Sequence, residues 1–175
     1  MHSSSRRSPQ GGASRLELVV SIVLVGIFAT VFLERTLYYQ EYAEMTAMEM
    51  TVANMRTGLR YKVAELIMNN RMSEIATLAD ENPMTWLSSR PDNYLGEYDS
   101  VPDAATHGKW YYDRTAHELV YTLNHSRHFV PSGGQDFSVR YRSMPIKPRQ
   151  REDSKDPSRQ TWITLAQLQG YEWLR

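Results

Sequence analysis

Residues 18–33, LVVSIVLVGIFATVFL, limit what this chain can fold into more than any other stretch. They hold no charge and no proline and are mostly Leu, Ile, Val and Phe. A bilayer is crossed by roughly 20 apolar residues in a helix, and Leu16 with snorkelling flanks brings this run close to that length. One carboxylate, Glu17, stands almost at its start, and Gly12 precedes it. An ionised group costs about 2.5–3.5 kcal/mol on insertion scales at the middle of a membrane helix, so Glu17 needs a partner if it is drawn into the bilayer. Elsewhere the chain is polar, with mean hydropathy −0.54 overall, and one span is expected.

The helical pattern continues past Leu33. From Leu33 to Asn70 there is no proline, and Gly58 is the one glycine. Tyr38, Tyr42, Met45, Met48, Val52, Met55, Leu59, Val63 and Leu66 recur at steps of three and four, an apolar stripe on one helix face. Glu41, Glu44, Glu49, Arg56, Arg60 and Lys62 are expected on other faces. One helix from Ser14 to Asn70 would be about 85 Å long.

Beyond it, residues 73–80 read as a short helix with Ser73 as N-cap, ended by Asn82 and Pro83. Strand signals begin at residues 94–98. Residues 109–113 and 118–123, aromatic and β-branched around a four-residue turn, read as an antiparallel hairpin. Residues 137–142 alternate as a third strand after a turn at Ser132, Gly133 and Gly134, and residues 162–165 read as a last strand. Residues 145–160, charged and proline-bearing, read as an exposed loop. The fold class expected is α+β: a long N-terminal spine helix, half membrane-type and half amphipathic, packed against a small antiparallel β-meander. Its parts are 1–12, 13–33, 34–70 and 71–175.

Gly12, the offset of Glu17 and the apolar run together resemble the N-terminus of the type IV pilins and the pseudopilins of type II secretion. Ser14, Leu16, Leu18 and Gly26 also fit that pattern. The resemblance implies a leader of residues 1–12, cleavage by a prepilin peptidase between Gly12 and Ala13, and N-methylation of Ala13. Glu17 then falls on the fifth mature position, where its carboxylate would meet a neighbour's N-terminal ammonium during filament assembly. The sequence departs from the family at Ala13, where Phe or Met is commoner, and at Arg15. It also lacks the helix proline that many major pilins carry at the position of Glu34.

Arg6 and Arg7, with no acid in residues 1–12, favour a cytoplasmic N-terminus with everything after Leu33 across the membrane. The resemblance implies that this is an inner-membrane anchor with a periplasmic head. The chain has no cysteine, so such a head must fold without disulfides. The expected function is a structural subunit, a minor pilin or pseudopilin, of a type IV pilus or type II secretion filament. Its partners would be the prepilin peptidase, fellow pilins, the inner-membrane assembly platform and membrane lipid. Which machine it serves stays open. So do two alternatives, a non-polymerising single-span protein with a ligand- or partner-binding head and a tip adhesin or DNA-uptake pilin.

Other constellations are weaker. His125 and His128 have metal-ligand spacing but lack further ligands, and structural zinc takes four. Glu152, Asp153 and Asp156 are interleaved with Arg149, Arg151, Lys155 and Arg159, which oppose a calcium ion. Arg140, Arg142, Lys147, Arg149 and Arg151 beside Tyr141 form a basic stretch, yet the net charge of the chain is zero and nucleic acid is not expected. No catalytic constellation is visible, so neither an enzyme nor a cofactor is expected.

Overall fold

The computed structural model describes residues 14–105, 107–132, 136–146 and 162–174. The chain divides into two units, Met1–Tyr39 and Gln40–Arg175. Helix α1, Arg15–Met68, runs through the boundary. Two short 3₁₀ helices follow, Met72–Ala79 and Pro83–Trp86, and then seven strands. These are β1 (Tyr94–Tyr98), β2 (Lys109–Asp113), β3 (Glu118–Thr122), β4 (Phe129–Pro131), β5 (Ser138–Ile146), β6 (Trp162–Gln167) and β7 (Tyr171–Trp173).

Helix α1 has a defined start and stop. The Leu16 backbone N–H donates to Ser14 Oγ at 3.2 Å, which makes Ser14 its cap. At the other end Asn70 adopts φ 58°. Arg71 N then donates to the Leu66 carbonyl and Asn70 N to that of Ile67. This pair of bonds is a Schellman closure, with asparagine in the left-handed position that glycine usually takes.

In the second unit α1 packs on the sheet through the expected stripe. Met48, Val52 and Met55 join Met84, Trp110, Tyr112, Leu119, Tyr121, Val139, Tyr141, Leu165 and Trp173 in one core cluster. Leu59, Val63 and Leu66 form a second cluster with Ile75, Leu78, Trp86 and Ile163. Tyr42, expected at the start of the stripe, is half exposed instead. Gly58 has a specific packing role, because a Cβ there would lie 2.3 Å from the Trp86 carbonyl oxygen.

The main sheet has the order β1-β2-β3-β5-β6, and β4 pairs with β7 in a separate two-stranded sheet. All its pairings are antiparallel except β1 with β2, which run parallel with an irregularity between Tyr94 and Glu97. The expected meander is thus modified at its first edge, where β2 runs alongside β1 in the same direction. The hairpin falls where the sequence placed it. Asp113 Oδ1 accepts the N–H groups of Thr115 and Ala116, both at 2.9 Å, and His117 closes the turn at φ 53°.

Two local expectations change. Residues 72–79 form a 3₁₀ helix preceded by Arg71, and Ser73 lies inside it rather than capping it. Asn82 and Pro83 do more than end that helix: Asn82 Oδ1 accepts from Met84 N and starts the next one, with Pro83 in its first turn. Of residues 145–160, Pro145 and Ile146 belong to β5. The rest, including Lys147, Arg149, Arg151, Glu152, Asp153 and Asp156, lies outside the described residues.

Candidate functional site: an uncharged helical segment and its one carboxylate

The first unit is helical from Arg15 onward, and its apolar side chains find no cover among the described residues. Leu16 is 73% exposed, Phe28 72% and Phe32 74%, and none of the most apolar part of the helix is buried. By length and composition this helix can cross a membrane. The two hydroxyls within the run are satisfied by the helix itself. Ser21 Oγ donates to the Glu17 carbonyl at 2.8 Å and Thr30 Oγ1 to that of Gly26 at 2.9 Å. Free hydroxyls would be expensive in hydrocarbon; these are not free.

Glu17 lies in the first turn of α1. Its negative charge there is favoured by the helix dipole. Among the described residues, no ion pair includes it. Gly12 and Ala13, the expected cleavage and methylation positions, lie outside the described residues. Gly26 has no atom within 4 Å of where a Cβ would stand, so nothing in the chain itself requires a glycine there.

The second unit holds a polar arrangement that periodicity assigned to solvent. Glu41 and Glu44, three residues apart on α1, both turn inward. Glu41 is 2% exposed and takes three donors: the His128 backbone N–H at 2.9 Å, His128 Nδ1 at 2.7 Å and Trp173 Nε1 at 2.9 Å. Glu44 accepts from the Tyr121 hydroxyl at 2.9 Å, the Asn124 and His125 backbone N–H groups at 2.6 and 2.8 Å, and His125 Nδ1 at 2.8 Å. Burial alone would raise the Glu41 carboxyl. The His128 side chain and backbone and the Trp173 indole outweigh it and hold that carboxyl below its ordinary value.

His125 and His128, weighed above as metal ligands, are therefore the donors of a clamp. It ties the β3–β4 loop and strand β7 to the helix. Among the described residues no group of three or more metal-ligating side chains is found. Only the odd spacing of two acids at the head of an apolar stripe hinted at this in the sequence.

The basic stretch has a similar outcome. Arg140 pairs with Asp136 at 2.9 Å and Glu118 at 3.3 Å, and Arg142 with Glu118 at 2.6 Å. Tyr141, between them in sequence, points to the opposite face of the sheet and is buried in the core. A cleft of about 500 Å³ is bordered by Lys62, Glu81, Glu97 and His117, among others. Its charges are mostly engaged: Glu81 takes Lys62 Nζ and Trp86 Nε1, each at 3.0 Å, and Glu97 takes Asn82 Nδ2 at 2.7 Å.

No protein-family model matches the chain, and no curated protein or solved structure is significantly similar to it.

Proposed function

We propose that this chain is a structural subunit, a minor pilin or pseudopilin, of a type IV pilus or type II secretion filament. In this reading it is held in the inner membrane by residues 13–33, with its N-terminus cytoplasmic and its head periplasmic. A prepilin peptidase cuts between Gly12 and Ala13, Ala13 is N-methylated, and the assembly platform passes the subunit into a filament. There its helix packs among fellow subunits, with Glu17 meeting the N-terminal ammonium of a neighbour.

One observation carries the reading. An uncharged helical segment lies wholly uncovered, its hydroxyls internally satisfied, with a single carboxylate at its first turn. Such a surface suits lipid and other helices of its kind, and a carboxylate at that depth calls for a cation. The test is the mass and N-terminal sequence of protein extracted from its native membranes. A chain beginning at methylated Ala13, and beginning at Met1 when the prepilin peptidase is absent, is the expected result. A chain beginning at Met1 in both cases overturns the reading.

That second outcome favours the other reading, a non-polymerising single-span protein. The position of Glu17 in the first turn behind the Ser14 cap supports it, because there the carboxylate serves the helix terminus without any neighbour.

A further inference from the structure

Just past the uncharged run, α1 changes chemistry. Leu33 is followed by Glu34 and Arg35, then by Leu37, Tyr38 and Tyr39. Leu37 and Tyr38 are each 39% exposed and Tyr39 is 64% exposed. The two rings meet edge to face, with centroids 6.0 Å apart. At about 3.6 residues per turn, Glu34, Arg35, Tyr38 and Tyr39 occupy less than half of the helix circumference. The segment is therefore one-sided, with ionic and phenolic groups together and Leu33 and Leu37 away from them.

Length says where this segment must sit if the run crosses a bilayer. Residues 18–33 rise about 24 Å at 1.5 Å each. The hydrocarbon layer is about 30 Å thick, so about 6 Å must come from the flanks. Leu16 and Glu17 at the near end and Glu34 and Arg35 at the far end supply that rise, about 3 Å from each pair, and bring the boundary close to Thr36. Glu34 and Arg35 then lie shallow enough to extend their charged ends outward along the helix. Tyr38 and Tyr39 reach the headgroup layer, where a ring can rest in an apolar setting while its hydroxyl stays wet.

We propose that Tyr38 and Tyr39, with Glu34 and Arg35 before them, are the anchor that fixes the depth of this helix in a phospholipid bilayer. Arg35 faces the lipid phosphates and the phenols bond within the headgroup layer. The inference rests on the membrane part of the function proposed above and adds where along the helix the bilayer ends.

The absence of cysteine makes a direct depth measurement possible. A nitroxide is attached to the full chain at Val25→Cys or at Thr36→Cys, in phosphatidylethanolamine–phosphatidylglycerol vesicles. Its collisions with oxygen, which concentrates in hydrocarbon, are compared with those of a water-soluble nickel chelate. Each label is read with the tyrosines intact, with Tyr38→Ser/Tyr39→Ser, and with Tyr38→Trp/Tyr39→Trp.

The expected result is oxygen-dominated collision at position 25 and a boundary reading at position 36. The serine pair should shift the latter by about one helical turn, near 5 Å, and the tryptophan pair should restore it. A label at 36 whose depth ignores the serine pair overturns the proposal. So does one that the chelate reaches as freely as in bulk water while position 25 stays in hydrocarbon. A label at 25 that is open to the chelate removes the membrane reading, and the anchor with it.

Discussion

Glu41 Oε1 accepts a hydrogen bond from the Trp173 indole at 2.9 Å, joining side chains 132 positions apart. The same oxygen accepts the His128 backbone N–H, and its companion lies 2.7 Å from His128 Nδ1. One carboxylate thus gathers α1, the β3–β4 loop and β7. Truncation as Glu41→Ala leaves the buried Trp173 indole N–H unanswered, at about 1–3 kcal/mol for a buried group left without a partner, and also removes the two bonds from the half-exposed His128. Urea unfolding of the Glu41→Ala chain should show a midpoint well below that of the unaltered protein. An unchanged midpoint would mean that the clamp contributes nothing.

Acid should act through the same group. The Glu41 carboxyl is held below its ordinary value in the folded state. It therefore contributes stability that is present above the unfolded value, about 4.3. That contribution is lost as the pH falls through the lowered folded value. A pH series of unfolding free energies should show this loss below about pH 4.3, with a shallower slope in Glu41→Gln. Parallel slopes in the two proteins would contradict it.

Base should find the core tyrosines resistant. Burial first, and Glu97 after it, pushes Tyr112 up to about 12. Tyr121 is raised by burial and by Glu44, and Tyr141 by burial and Tyr171. Their raised values make a stability contribution that is complete below about pH 10, the unfolded value, and fades as the pH rises through the folded ones. Tyrosinate absorbance should therefore rise in two stages. The core phenols supply the later stage, which arrives together with loss of the fold.

Two glycines in one helix should respond oppositely to alanine. Each substitution gains up to about 1 kcal/mol of helix propensity. At Gly26 nothing opposes it, and the thermal midpoint of the head should hold. At Gly58 the new Cβ meets the Trp86 carbonyl oxygen at 2.3 Å and its carbon at 3.0 Å, both backbone atoms. Overpacking typically costs about 1–3 kcal/mol, which exceeds the gain. Gly58→Ala should lower the midpoint; an equal or higher one would show that the Trp86 loop moves aside freely.

Under the proposed function, Glu17→Leu should leave membrane insertion and processing intact while impairing incorporation into the filament. Fractionation of sheared filaments from cells carrying this variant tests it. Normal incorporation would remove the assembly role assigned to the carboxylate.

The parts legible in the sequence were those whose signal is local. Period 3.6 gave α1, and alternation with the Asp113 turn gave the β2–β3 hairpin. Glu41 and Glu44 were misplaced because a stripe argument sends carboxylates to water, and their donors lie 77 to 132 positions away. Strand β4 is only three residues long, too short for any period to show. The parallel direction of β1 against β2 is one that no residue pattern announces. For the apolar segment, composition alone sufficed to mark a helix able to cross a membrane, since nothing among the described residues covers it.

The inward turn of Ser21 and Thr30 onto their own helix has a consequence for any helix lying alongside. Hydroxyls that bond their own backbone leave little to offer a neighbour, so between Leu18 and Leu33 one level differs from the next mainly in shape. A second helix sliding along this surface would travel on a nearly smooth rail. Position along that rail must then be read from a landmark, and Glu17 is the only acid in the first unit before the Glu34–Arg35 step. A lone carboxylate can act as the zero mark of a molecular ruler because residues 18–33 after it carry no charge.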